Sequence, residues 1–215
     1  MTISLIITAG GIGSRFKSSE PKQFSEVNGK SILEQSIDAF SEIKIEQCII
    51  TAPEEFINQT QEIVNRINTH YAIQCVKGGK TRAESVKNGF NALDICNTVL
   101  IHDAVRPYVS NDVIMRVIKD SSKYDAVIPV IPVSDTIKIV HEGVVKQTPD
   151  RNSLVAVQTP QAVNYEVYKK ALANTSIEAE KITDDASLVE AIDGTVKIVD
   201  GDIQNIKITY NSDLS

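Results

Sequence analysis

Ile3-Ser4-Leu5-Ile6-Ile7-Thr8-Ala9-Gly10-Gly11-Ile12-Gly13-Ser14-Arg15-Phe16, followed by Pro21-Lys22-Gln23, is the stretch from which the fold can be read. An apolar, β-branched run passes directly into a glycine-dense turn. Glycine lets the backbone approach a ligand with no Cβ in the way, so a strand ending in such a turn can offer its N–H groups to an anion. Arg15 follows the turn and Lys22 comes seven residues later, two cations able to face negative charge held there. Two familiar glycine loops do not fit. The P-loop needs a Gly-Lys-Ser/Thr ending, which is absent, and the dinucleotide fingerprint needs a third glycine where Phe16 stands. A nucleoside triphosphate is the ligand these residues suggest.

Working outward, the first half of the chain alternates short apolar runs with helical periodicity. Ser31–Glu34 has capping-box spacing and opens a helix carrying Ile32, Leu33, Ser36, Ile37 and Phe40. Cys48–Thr51 reads as a strand, Thr51–Glu54 as the entry to a helix and Tyr71–Val76 as a further strand. A second glycine turn at Lys77–Lys80 precedes a helix capped from Thr81 to Glu84. Asn97–Ile101 is a buried strand ending at His102–Pro107, Val113–Ile118 is helical and Ala126–Val130 is another strand. Such alternation predicts an α/β fold with a mostly parallel open sheet and helices on both faces.

The alternation breaks after Pro132. Asp135–Val140 and Val144–Gln147, joined through Gly143, predict a projecting β-hairpin arm. Residues 133–158 are expected to form a dimerisation arm, with folding back over its own subunit left as the alternative. Beyond it, Asn164–Ala173 and Thr183–Ile192 read as helices, and Thr195–Val199 and Ile203–Thr209 as closing strands. The last residues, Asn211–Ser215, leave room for at most a very short terminal helix. Nothing marks a linker or repeat, so residues 1–215 are taken as a single domain.

Of the 215 residues, 42% are hydrophobic and 23% charged, an ordinary globular balance, and the formal net charge is -6. That charge argues against a nucleic-acid partner. Cys48, Cys75 and Cys96 are scattered and odd in number, as in a reducing cytoplasm, and no metal-ligand spacing of Cys or His occurs. No signal-peptide pattern is seen, and no apolar run approaches the roughly eighteen residues that a membrane span needs. A cytoplasmic location and no membrane partner are expected.

In open parallel sheets, ligands bind outside the carboxyl ends of the strands. Arg15, Lys22, Arg82, Asp103 and Arg106 all fall in loops at that edge, and Thr183 and Lys207 join them only if the end of the chain returns there. Cations with no evident general base suit transfer of a nucleotidyl group to a phosphate monoester. Such a monoester is already mostly dianionic at neutral pH, its second pKa lying near 6. A divalent cation bridging triphosphate oxygens would complete the charge neutralisation.

Several motifs in register resemble one family. They are Ala9–Arg15 with Pro21–Gln23, Gly78–Ser85, His102–Pro107, Asp135–Thr136, Asp150–Asn152, Thr159–Gln161, Thr183–Ser187 and Asn205–Thr209. Together they resemble the 2-C-methyl-D-erythritol 4-phosphate cytidylyltransferases over essentially the whole chain. The resemblance implies a Rossmann-like nucleotidyltransferase domain, CTP and a polyol phosphate as substrates, Mg²⁺ held mainly through the CTP phosphates, and a homodimer. It implies catalytic roles for Arg15, Lys22 and Lys207. It places Ala9, Gly10, Gly11, Ile12, Gly13, Gly79, Lys80, Ser85, Asp103 and Ala104 around CTP. Arg106, Thr136, Arg151, Thr159 and Thr183 would serve the acceptor phosphate, with Thr136 and Arg151 arriving from the partner's arm. Lys80 departs from the acidic residue many members carry, which leaves base contacts there to the backbone. A ribitol-5-phosphate cytidylyltransferase fits the Ala9–Arg15 and His102–Pro107 loops equally well, while Thr183–Ser187 and Asp150–Asn152 lean toward the methylerythritol family. A non-catalytic nucleotide-binding module is the third reading.

Overall fold

The computed structural model describes residues 1–10, 21–174 and 182–214. The chain opens with β1 (Ile3–Thr8), whose six residues are almost wholly buried. A 3-10 turn (Lys22–Phe24) and a small hairpin, β2 (Glu26–Val27) with β3 (Lys30–Ser31), lead into α1 (Ile32–Asp38). Then come β4 (Gln47–Ala52), α2 (Ile57–Val64), β5 (Ala72–Lys77), α3 (Arg82–Asn91), β6 (Thr98–Asp103), α4 (Asn111–Asp120) and β7 (Ala126–Pro132). The arm carries β8 (Ile139–His141) and β9 (Val144–Gln147). After it follow β10 (Val155–Val157), β11 (Gln161–Asn164), α5 (Tyr165–Asn174), α6 (Ala186–Glu190) and β12 (Val196–Asp200).

Eight strands form the main sheet. β1 lies between β4 and β6 and is parallel to both, and β5 extends the parallel set beyond β4. β11 runs antiparallel between β6 and β7. Ala126 of β7 pairs with Val163 of β11 and also with Val196 of β12, so β12 lies on the other side of β7. The chain thus moves from β1 out to β4 and β5, then returns to β6 on the far side of β1. That reversal is a topological switch point, where a crevice opens at the carboxyl ends of β1 and β6.

Why β1 reads as a continuous apolar run is now clear, because both of its faces are covered. Leu5 and Ile7 join one core cluster with Leu33, Ile37, Phe40, Val113 and Val117, from α1 and α4 and the turn after α1. Ile6 points the other way into a cluster with Val86, Phe90, Tyr168, Leu188 and Val189, from α3, α5 and α6. Local caps match the sequence expectation: Ser31 and Thr81 accept the backbone N–H of Glu34 and Glu84, each at 3.1 Å. No described helix is long and apolar enough to cross a membrane.

Three expectations need correction. Ile203–Thr209 is not a strand: its apolar alternation mimics one, but the segment crosses the sheet edge and is tied by tertiary bonds, including Ile208 N–H to Val105 O at 2.9 Å. The helix expected over Thr183–Ile192 is shortened to α6, because Gln161 Oε1 accepts the N–H groups of Asp185 and Ala186 and fixes the start there. In the arm, the ladder begins at Ile139 rather than Asp135. The sheet is mostly parallel as expected, and β10 and β11 add the antiparallel pairing. The end of the chain holds a 3-10 turn at Asn211–Leu214.

Candidate active site

At the switch point, the main cleft has a volume of about 710 Å³. Its floor is the end of β1, where Ala9 N–H bonds Thr51 O at 2.8 Å and buried Gln23 donates to Ala9 O at 2.7 Å. One wall is the Gly78–Lys80 turn. Ser85 Oγ, one turn into α3, accepts from Gly79 N–H at 3.0 Å and donates to Thr81 O at 2.9 Å. Glu84 accepts the Lys80 N–H at 2.6 Å. The packing is so close that a Cβ on Gly79 would stand 2.1 Å from Glu84 Cβ, and one on Gly10 would stand 2.9 Å from Ser85 Oγ. These two glycines are required by proximity rather than by unusual dihedrals.

Asp103 ends β6 as the hub of the site. Its Oδ1 accepts from Arg82 Nε at 2.8 Å and its Oδ2 from Lys207 Nζ at 2.7 Å. Burial pushes the Asp103 carboxyl up, but Arg82 and then Lys207 outweigh that and hold it well below the usual carboxylate range. Arg82 reaches further, with its Nη2 on Asp185 Oδ2 at 2.8 Å, and Asp185 Oδ1 accepts from Tyr168 Oη at 2.8 Å.

Behind Asp103, one hydrogen-bond chain sets the neighbouring loop. Arg106 O can only accept, so His102 Nε2, 3.1 Å away, carries the imidazole proton. Nδ1 then accepts from Thr159 Oγ1 at 3.0 Å, and Thr159 Oγ1 accepts the Asp103 N–H at 3.1 Å. Burial lowers the His102 pKa to about 4, so the ring stays neutral. Arg106 donates from Nη1 to Asn205 O at 2.7 Å, and Asn205 Nδ2 donates to Thr159 O at 2.8 Å. Lys207 is thereby brought to the site although its segment forms no ladder. A second cleft of about 450 Å³ opens here, lined among others by Arg106, Thr159, Thr183 and Asp184. Arg82, Asp103 and Lys207 line both clefts.

Of the residues expected from sequence, Ala9, Gly10, Lys22, Gly79, Lys80, Ser85, Asp103 and Lys207 line the larger cleft. Lys22 Nζ donates to Ile208 O at 2.7 Å. Arg106, Thr159 and Thr183 line the smaller one. Ala104 is buried beneath, with its N–H on Thr8 O at 3.1 Å. Thr136 and Arg151 are exposed on the arm, outside both linings, with Arg151 bonded to Ser134 O at 2.9 Å. Gly11, Ile12, Gly13 and Arg15 lie outside the described residues. Gln23, Gln161 and Asp185, inside quoted motifs, and Tyr168, inside none, support the site without having been given a role from sequence. The available signal was weak, a polar side chain inside a motif, because burial is not visible before the fold. Among the described residues, no group of three or more His, Cys, Asp or Glu is arranged to hold a metal ion.

An open, mostly parallel sheet with a glycine-walled, cation-lined crevice at its switch point defines a Rossmann-like nucleotidyltransferase. The family model for 2-C-methyl-D-erythritol 4-phosphate cytidylyltransferase (IspD) matches residues 3–215. The chain belongs to this family. It is 40% identical over 212 residues to the protein of that name from Clostridium perfringens (strain SM101 / Type A), covering 97% of this chain and 94% of the relative. It is 41% identical over 221 residues to the protein of that name from Clostridioides difficile (strain 630), covering 99% and 90%. Among solved structures, the Francisella tularensis enzyme of that name superposes with a TM-score of 0.83 at 30% identity, covering 100% of this chain and 97% of that one. The 4-diphosphocytidyl-2C-methyl-D-erythritol synthase of Anaerococcus prevotii DSM 20548 superposes at 0.82 with 35% identity, covering 99% and 94%.

Proposed function

We infer that the protein transfers the cytidylyl group of CTP to 2-C-methyl-D-erythritol 4-phosphate, giving 4-diphosphocytidyl-2-C-methyl-D-erythritol and pyrophosphate. One observation carries the reading beyond family membership: two clefts meet at the same Arg82–Asp103–Lys207 cluster, so a second phosphate can sit beside a bound triphosphate. An acceptor phosphate oxygen attacks the α-phosphorus, a P–O bond forms, and the bond to the bridging oxygen breaks as pyrophosphate leaves. The acceptor dianion needs no base, which suits a site whose His102 is neutral and fully engaged.

In this scheme Ala9–Gly13 wraps the phosphates. Arg15, Lys22 and Lys207 meet the charge that grows in the transition state. Gly79, Lys80, Ser85, Asp103 and Ala104 frame the nucleoside, and Arg106, Thr159 and Thr183 face the acceptor. Lys77 pairs with Glu54, and Glu84 accepts the Lys80 N–H. Mg²⁺ brought in with CTP would be held mainly through the phosphate oxygens and would supply charge neutralisation there.

The arm supports a homodimer. Ile137, Ile139, Val140, Val144 and Val145 are 40%, 48%, 61%, 60% and 54% exposed, a run of apolar surface that a partner would cover. In the dimer, Thr136 and Arg151 of each chain serve the other's acceptor cleft. The three unpaired thiols fit a reducing cytoplasm.

Pyrophosphate release with CTP and Mg²⁺ tests the assignment, run with methylerythritol phosphate and with ribitol 5-phosphate. Turnover with the first alone is expected. Turnover with ribitol 5-phosphate alone would overturn the acceptor, and silence with both would overturn the activity.

A further inference from the structure

We propose that Arg82 is a positioning residue which ties the acceptor cleft to the nucleotide cleft, and that it does so through Asp185 rather than by binding phosphate. The inference rests on the cytidylyl-transfer reading above and adds a role to a cation that the reading leaves without one. Arg82 occupies the first helical position of α3, directly after the Thr81 cap, so its backbone is fixed to the Gly78–Lys80 wall. Its guanidinium then forks: Nε meets Asp103 and Nη2 meets Asp185, both at 2.8 Å.

Both carboxylates are buried, Asp103 being 5% and Asp185 1% exposed. Turning Arg82 toward a phosphate would strip one or both of these buried carboxylates of a counter-charge, which is unfavourable. Lys207 differs, since its side chain is 44% exposed and its one described carboxylate partner is Asp103. Of these two cations, Lys207 is therefore free to exchange onto phosphate and Arg82 is held in place.

Asp185 itself is anchored from several sides. Its N–H meets Gln161 Oε1 at 2.9 Å and its Oδ1 meets Tyr168 Oη at 2.8 Å. The preceding Asp184 caps the same turn, accepting from Ser187 N–H at 3.1 Å and Gln161 Nε2 at 3.1 Å. Thr183, Asp184 and Ser187 of this turn line the acceptor cleft. Arg82 therefore sets the distance between that wall and Asp103, which both clefts share. A fork of two donors in fixed geometry is a property of arginine, and lysine cannot span both carboxylates.

The test uses Arg82→Lys and Asp185→Asn, which keep charge or size where Arg82→Ala could fail to fold. Steady-state kinetics are run with whichever polyol phosphate the wild-type enzyme turns over, and CTP binding is measured by calorimetry. Each variant is expected to raise the acceptor KM and lower kcat, together by roughly tenfold or more in kcat/KM, because small misplacements of a substrate are costly. The Kd for CTP should stay within about threefold of wild type, and the double variant should be no worse than the worse single one, as for two ends of one link. A collapse of CTP affinity in Arg82→Lys with Asp185→Asn unaffected would make Arg82 a phosphate ligand and overturn the proposal. An unchanged acceptor KM in Asp185→Asn would overturn it too. If the wild type turns over neither phosphate, the functional reading fails by itself. Amide hydrogen exchange at residues 183–188 then judges the tether, with faster exchange in both variants expected and unchanged protection overturning it.

Discussion

His102 is buried to the last ångström of its ring, and its two nitrogens are both used in holding Arg106 and Thr159. Its pKa is lowered from 6.5 to about 4 by burial, so the folded protein refuses a proton that the unfolded chain accepts. Stability from this group is complete above pH 6.5 and is lost as the pH falls toward 4. Between pH 7 and pH 4.5 the loss from His102 amounts to about 2 kcal/mol. Urea unfolding at the two values should show a shallower dependence in His102→Asn, and equal slopes would remove His102 as the source. Lys22 belongs to the same scale. Its Nζ donates to Ile208 O, in the segment that brings in Lys207. Lys22→Ala is expected to lower kcat by roughly tenfold or more with only a modest change in CTP binding, since it acts on developing charge. Single-turnover rates and a CTP titration check this, and an unchanged kcat takes Lys22 out of catalysis.

Among the elements, the Gly78–Lys80 turn is the one most dependent on close packing. With Glu84 Cβ 2.1 Å from where a Gly79 Cβ would stand, Gly79→Ala must shift the turn off α3. The expected destabilisation is about 1–3 kcal/mol, accompanied by weaker CTP binding, because the Gly79 N–H would leave Ser85 Oγ. Thermal melts and CTP titration measure both effects; retention of wild-type values would mean that the turn relaxes freely. The same turn shows what was legible from residues. The caps at Ser31 and Thr81 depend on side chains reaching backbone three residues away, so local spacing predicts them. Ile203–Thr209 shows the opposite. Its alternation is a strand pattern, yet Arg106 holds it at Asn205 O and Val105 O holds it at Ile208 N–H, bonds spanning about a hundred residues that no local pattern encodes.

At the scale of the whole molecule, the apolar arm makes assembly the decisive variable. Light scattering on the eluting protein should give the mass of a dimer, and a stable active monomer would remove the arm's role. If Thr136 and Arg151 act in the partner's cleft, mixing Arg15→Ala chains with Arg151→Ala chains should restore part of the activity, because one cleft in each mixed dimer is intact. No recovery in demonstrated mixed dimers would count against a shared site. The location of these two side chains, exposed and outside both clefts of their own chain, motivates the experiment.

The amino-acid sequence by itself determined the α/β class, the parallel run of strands, the helix caps and the loops at which cations gather. Each follows from periodicity, from glycine's small size or from contacts a few residues apart. Only the tertiary structure decided that β11 would run antiparallel between β6 and β7, and that Gln161 would set the start of α6. It also decided that Lys207 would meet Asp103, and that Arg82 would join Asp103 to Asp185. These are pairings between residues up to 104 positions apart. They are chosen by which charges and polar groups must find partners once the core excludes water, and that is settled only when the whole sheet has closed around them.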